Sequence, residues 1–249
     1  MIDAIRSEWI KVTTITSTWV LVIVGAAFPL VISLLTAAFD GDDEFITYDG
    51  SDLAAVIAGT AVVSSMIFGV VATLGITGEF SHNTIRPTFA ALPDRWRPLL
   101  AKPIVHVVIS TALTIGIVIV GWVLGAALAN GTQSLDDDGA LAALVGVVLL
   151  AIGLTLLGYA LGTLVRNSAA AICILLLWPL VAEGLIAGLM AVAGGEGLQK
   201  WLPYAAGFNM VNTEPDPDSL GRVGGGVYFF VWVFAVLALG LWSARRRDA

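Results

Sequence analysis

Apolar residues gather along the chain into six long runs, each bounded by charged or loop residues, at approximately 18–39, 53–77, 103–129, 140–165, 169–193 and 227–244. Within each run Leu, Val, Ile, Ala and Gly are nearly continuous, with no polar stripe of helical period. A hydrocarbon core ~30 Å thick is crossed by roughly 20 such residues at about 1.5 Å per residue, so every run is a candidate transmembrane helix. The shorter alternating segments of a membrane β-barrel are absent from the sequence. The pattern predicts an all-α integral membrane protein, with residues 1–249 forming a single transmembrane domain of six spans.

Three stretches between the spans carry patterns of their own. In residues 1–16, Ile2, Ile5, Trp9 and Val12 recur on one helical face, and Asp3, Arg6, Glu8 and Lys11 fill the remainder. This predicts an amphipathic interfacial helix in the headgroup region, acting as a membrane lead-in or also touching a cytoplasmic partner. Residues 78–102 read GEFSHNTIRPTFAALPDRWRPLLAK, with Pro87, Pro93 and Pro98 dividing them and Phe80, Ile85, Phe89, Leu92 and Trp96 available for packing. One or two short helices along the inner surface are expected there. Residues 194–226 contain Trp201-Leu202-Pro203-Tyr204-Ala205-Ala206, apolar enough to dip back as a re-entrant segment where protein shields its backbone.

Composition supports the membrane assignment, and charge orients it. The chain is 58% hydrophobic and 12% charged, against about 25% charged in a soluble domain. That excludes a soluble enzyme, a nucleic-acid binder and a disordered tail. With both termini cytoplasmic, 10 of the 12 basic residues fall inside, and only Lys200 and Arg222 fall outside. Thirteen of the 19 acids lie on the outer loops, so the net charge of −7 describes an outer face. Trp9, Trp19, Trp96, Trp201 and Trp242 fall near predicted interfaces or in loops. No cleavable signal peptide is expected, because the first apolar run is long and lacks a small-residue cleavage site.

Candidate chemistry is sparse. Glu183 is the one acid well inside a span, five residues after Trp178 and four after the helix-disturbing Pro179. A carboxylate there is costly. It lines a pathway or subunit interface, or else it is a hydrogen-bonded packing contact. Gly121/Gly125, Gly158/Gly162 and Gly184/Gly188 are small pairs that allow close helix approach. Cys173, in an apolar run, reads as a small core residue. His82 and His106 are isolated, and no metal or catalytic group is expected: Ser64 and Ser65 have no base nearby in sequence. Asp136-Asp137-Asp138 lacks a calcium-loop spacing.

Taken in order, several of these segments resemble a family, the permease subunits of ABC-2 type exporters, particularly six-helix, actinobacterial-like ones. The resemblance rests on Arg6-Ser7-Glu8-Trp9-Ile10-Lys11, Thr77-Gly78-Glu79-Phe80 followed by Asn83-Thr84-Ile85-Arg86, Ala101-Lys102, Trp201-Leu202-Pro203 and Arg246-Arg247-Asp248-Ala249. Asn83 departs from the glycine expected before Thr84, although Asn tolerates the left-handed backbone that glycine would supply. The resemblance implies that the interfacial helix (Arg6, Glu8, Trp9, Lys11) and a cytoplasmic coupling helix (Glu79, Phe80, Asn83, Thr84, Arg86) receive ATPase subunits. It implies no cofactor in this chain, ATP and Mg in two partner ATPase copies, and a second permease chain, identical or related. The sequence has no G-x-x-x-x-G-K-[ST] phosphate loop. The expected function is outward transport of a hydrophobic or amphipathic drug, antibiotic, lipid or peptide across the cell membrane. Alternatives are a stand-alone carrier, a sensory component or an intramembrane hydrolase.

Overall fold

The computed structural model of the chain describes residues 2–39, 49–82, 96–129, 133–136, 139–214 and 216–247. Among them every regular element is helical, and six helices are long and apolar enough to cross a membrane. After a short first helix, α1 (Ile2–Thr14), come α2 (Thr16–Ala38), α3 (Gly50–Ser81), α4 (Trp96–Leu128) and α5 (Ala140–Val165). The fifth span is composite: α6 (Ser168–Leu177), a π-helical turn (Trp178–Glu183) and α7 (Gly184–Val192). A 3-10 turn (Glu196–Trp201) and the short α8 (Pro203–Phe208) lead to α9 (Gly221–Arg247).

Helices α3 and α4 reach beyond the apolar runs that predict them. Asp49 caps α3, accepting from the backbone N–H groups of Ser51 at 2.7 Å and Asp52 at 2.9 Å. Asp52 returns a bond to the Asp49 N–H, completing a capping box. At the far end α3 continues to Ser81, and α4 begins at Trp96, so both flanks of the expected 78–102 loop are helical. The expected coupling helix falls largely on 83–95, outside the described residues.

The core lies between α3 and α5. A Cβ on Gly158 would stand 2.1 Å from the Gly69 carbonyl oxygen, so this crossing requires glycine. Thr73 Oγ1 crosses the same gap to the Gly158 carbonyl at 2.9 Å. Gly121 and Gly125 of α4 fit against Ile57 and Leu53 of α3. Of the three predicted glycine pairs, two therefore pack within the chain, whereas Gly184 and Gly188 of α7 face open space. Apolar side chains cover the outside: Leu180, Leu185, Leu189 and Val192 are all strongly exposed, as a hydrocarbon solvent permits. Cys173 lies on that exposed face of α6 rather than in the core, because Ala171 and Leu175 take the inward positions.

Prolines interrupt three spans, and each break is repaired in the same way. Proline lacks the N–H that would bond the carbonyl four residues earlier. Pro29, Pro103 and Pro179 therefore release the carbonyls of Gly25, Leu99 and Leu175. These accept hydroxyl hydrogen bonds from Ser64 (2.5 Å), Tyr159 (2.7 Å) and Tyr204 (3.2 Å) respectively, each donor lying on another element. In hydrocarbon an unpaired carbonyl has no water to turn to, so these hydroxyls also fix how the helices sit against one another.

Candidate functional site

At the α1 end of the bundle four charged side chains from three helices meet. Ile15 is extended and breaks the helix between α1 and α2, and the Trp19 indole N–H donates to the Thr13 carbonyl across the corner at 2.8 Å. The turn lays α1 against α4. Glu8, only 3% exposed, points inward with Val12, while Arg6, Trp9 and Lys11 are exposed. Lys11 Nζ donates to Glu8 Oε1 at 2.7 Å and to Glu79 Oε1, at the end of α3, at 2.9 Å. Lys102 Nζ, on α4, also reaches Glu79 Oε1 at 2.9 Å, and it donates to Glu8 Oε2. Each lysine thus binds both glutamates, and the ring is electrically neutral.

Removing one member would strand its partners in a poorly solvated place, which is why such groups bury only together. Burial works against the charge on Lys11, but its hydrogen bonds to Glu8 and Glu79 and their negative charges outweigh this and raise its pKa. Next to the ring, the Arg166 guanidinium lies over the Phe80 ring, 4.6 Å from its centroid, tying the end of α3 to the α5–α6 corner. Arg166 holds φ +57°, the left-handed cap that lets α5 end; Asn167 then accepts from the Ala170 N–H at 3.0 Å and starts α6. A cleft of about 620 Å³ opens between α1, α2, α3 and α4, walled by the ring residues, Leu21, Val71 and Leu74. His106 is buried beside it, its imidazole fitting the notch left by Gly75, where a Cβ would meet Nε2 at 2.7 Å.

The structure therefore brings Glu8, Lys11 and Glu79 together and adds Lys102, which sequence reading places at the head of a span without giving it a partner. The signal was present: a lysine one residue before Pro103, at the edge of an apolar run, needs a carboxylate nearby. Asn83, Thr84 and Arg86 lie outside the described residues.

Glu183, at the other end of the bundle, is buried, and among the described residues no cation pairs with it. Its Oε1 accepts from the Tyr204 N–H and its Oε2 from the Ala205 N–H, both at 3.0 Å. These are the first free amides of α8, so the carboxylate caps that short helix. Pro179 underlies the wide turn that positions Glu183, and the Tyr204 hydroxyl, bonded to the Leu175 carbonyl, closes the turn from the opposite side. Trp178 is half-exposed and lines an apolar recess with Pro203, Tyr204 and Trp232. The segment after Trp201 folds back into the bundle: Tyr204, Ala206 and Gly207 are buried, and the Met210 carbonyl sits where a Cβ on Gly146 would be.

Among the described residues no cluster of three or more His, Cys, Asp or Glu side chains could hold a metal. Ser64, weighed above as a nucleophile, donates instead to the Gly25 carbonyl. Residues 4–182 match a family model described as ABC-2 family transporter protein. No curated protein matches the chain.

Proposed function

Since the chain belongs to the ABC-2 transporter family, we propose that it is the permease half of an ATP-driven exporter, drawing its energy from a separate ATPase. Membership, carried by the match over residues 4–182, makes it a multi-pass transport component. The absent phosphate loop supports assigning ATP hydrolysis to another polypeptide. Both termini are placed in the cytoplasm on the 10-to-2 division of basic residues, in the cell membrane, and six spans invite a second permease chain, identical or related.

In this reading two ATPase subunits, carrying ATP and Mg, dock on the end of the bundle formed by α1, the Glu79–Phe80 end of α3 and the segment containing Asn83, Thr84 and Arg86. The ring of Glu8, Lys11, Glu79 and Lys102 supports the proposal physically. It clamps α1 to α3 and α4, so a push on α1 reaches two spans as a rigid-body displacement. The apolar lining of the recess beside Trp178 suits a hydrophobic or amphipathic cargo moved outward. Glu183 would then be a positioning residue for the outer segment.

Purification of the tagged chain with its neighbours tests the assignment: a stoichiometric ATPase with a phosphate loop is expected, and its turnover should rise with transported cargo. Purification alone, with no ATPase able to restore transport, would overturn it. Glu79→Ala combined with Arg86→Ala should separate ATP hydrolysis from export. Because Glu79 belongs to the ring, Arg6→Glu on the exposed side of α1 provides the companion variant. Unchanged export in both would remove the docking assignment.

A further inference from the structure

Between α5 and α9, at the end of the bundle away from the charged ring, runs an apolar trough of about 980 Å³. Two of its positions are glycine, and they let Met210 approach closely from below. Gly146 and Gly226 press directly on Met210, whose backbone and side chain form the floor. Leu141, Val145 and Leu149 make one wall and Val223, Val227 and Val231 the other, all substantially exposed, so the trough opens sideways onto the lipid-facing surface. Between residues 223 and 234, where Phe234 closes the trough, α9 rises about 17 Å at ~1.5 Å per residue. One leaflet of the hydrocarbon core is about 15 Å deep.

The rim of this trough carries both signs of charge, Arg222 and Asp136. Arg222 is held by two carbonyls: its Nε donates to Asn212 at 3.1 Å and its Nη2 to Thr213. Among the described residues no carboxylate pairs with it. Asp136 stands on the same rim, and no ion pair joins the two. A guanidinium fixed by carbonyls keeps its remaining N–H groups for an oxyanion, and the Asp136 carboxylate suits an ammonium.

We propose that this trough is a binding site for a zwitterionic phospholipid with a primary-amine headgroup, taken from the leaflet on the Arg222 side. Its phosphate rests on Arg222, its amine faces Asp136, and one acyl chain lies between α5 and α9. The depth of one leaflet, the sideways opening and the rim charges of both signs together select a bilayer lipid over a water-borne ligand.

The test places the full-length chain in nanodiscs of palmitoyl-oleoyl phosphatidylethanolamine doped with an analogue bearing a diazirine on its acyl chain, followed by photolysis and peptide mapping. Labelling should concentrate on residues 141–149 and 223–234, and Arg222→Gln should lower it about tenfold through loss of the charged hydrogen bonds. Val227→Trp fills the trough without touching the Arg222 bonds and should lower it comparably, so the result stands even where Arg222→Gln loosens the loop it braces. Asp136→Asn should shift the preference from phosphatidylethanolamine towards phosphatidylglycerol. Equal labelling on exposed α7 positions such as Leu185 and Leu189 would reduce the lipid to an ordinary annular one and overturn the proposal. So would labelling unchanged by both trough variants, or cross-links showing a second copy of the chain seated there.

Discussion

Buried carboxylates sit at both ends of this bundle, and they are satisfied by opposite means. Glu8 and Glu79 are neutralised by Lys11 and Lys102, cations from distant parts of the chain that bring α1, α3 and α4 together. Glu183 is satisfied by two backbone amides about twenty residues further along, in the loop that follows its own span. The first arrangement joins helices and depends on formal charge. The second shapes a local return of the chain and depends on hydrogen-bond directions. An ion ring can travel as a unit with a helix that is pushed, whereas a two-point cap holds a turn in place. The contrast suits a driven end and a fixed end.

Lys102→Met offers the sharpest way to break that contrast. Glu8 would keep only half-exposed Lys11, and loss of one partner of a buried pair costs about 3–5 kcal/mol. Thermal unfolding in detergent should show a large fall, and hydrogen exchange should speed up along α1 while the Tyr204 and Ala205 amides stay protected. Glu8→Gln added to Lys102→Met leaves Lys11 bonded to Glu79, so the double variant should recover part of the stability. Loss of protection at both ends would show that the two regions are one cooperative unit.

Glu183→Ala reverses the pattern. Two amides lose their acceptor inside the bundle, at about 1–3 kcal/mol for each unsatisfied buried group. Exchange at Tyr204 and Ala205 should rise at least tenfold with α1 unaffected. Glu183→Gln keeps one carbonyl oxygen and should cost about half as much. If Gln matched Ala, negative charge at the start of α8 would matter more than hydrogen-bond count.

Much of this was legible in the sequence, for physical reasons that differ by region. The six spans were, because hydrocarbon demands continuous apolar length and the chain has no other use for it. The family was as well, through short ordered segments such as Thr77-Gly78-Glu79-Phe80. The stretch Trp201–Ala206 stood out as apolar enough to fold back, and within it the structure buries Tyr204 and Ala206. What stayed hidden was pairing across the bundle. Neither periodicity nor composition says that Lys102 meets Glu8, ninety-four positions away, or that Cys173 faces outward while Ala171 faces in. Glu183 stood out as an anomaly, but the amides of Tyr204 and Ala205 that it accepts from are backbone groups, which nearly every residue possesses and no pattern marks.

The smallest expected effect uses the prolines, which put one device at both ends. Next to the ring, Tyr159 caps the carbonyl that Pro103 leaves free; next to Glu183, Tyr204 caps the one left by Pro179. Tyr159→Phe strands the Leu99 carbonyl in a dry setting, for a loss of about 1–2 kcal/mol. In a Pro103→Ala background the new N–H can bond that carbonyl along the helix, so the same Tyr159→Phe change should cost well under 1 kcal/mol. A double-mutant cycle on unfolding midpoints reads the difference as a coupling between positions 103 and 159. The parallel cycle on Pro179 and Tyr204 should not close so cleanly: Tyr204 also donates its amide to Glu183, and Ala at 179 would tighten the wide turn that aims the carboxylate. Equal couplings in the two cycles would mean that the π-helical turn is incidental to the Glu183 cap. Unequal ones would tie proline, tyrosine and glutamate into a single latch.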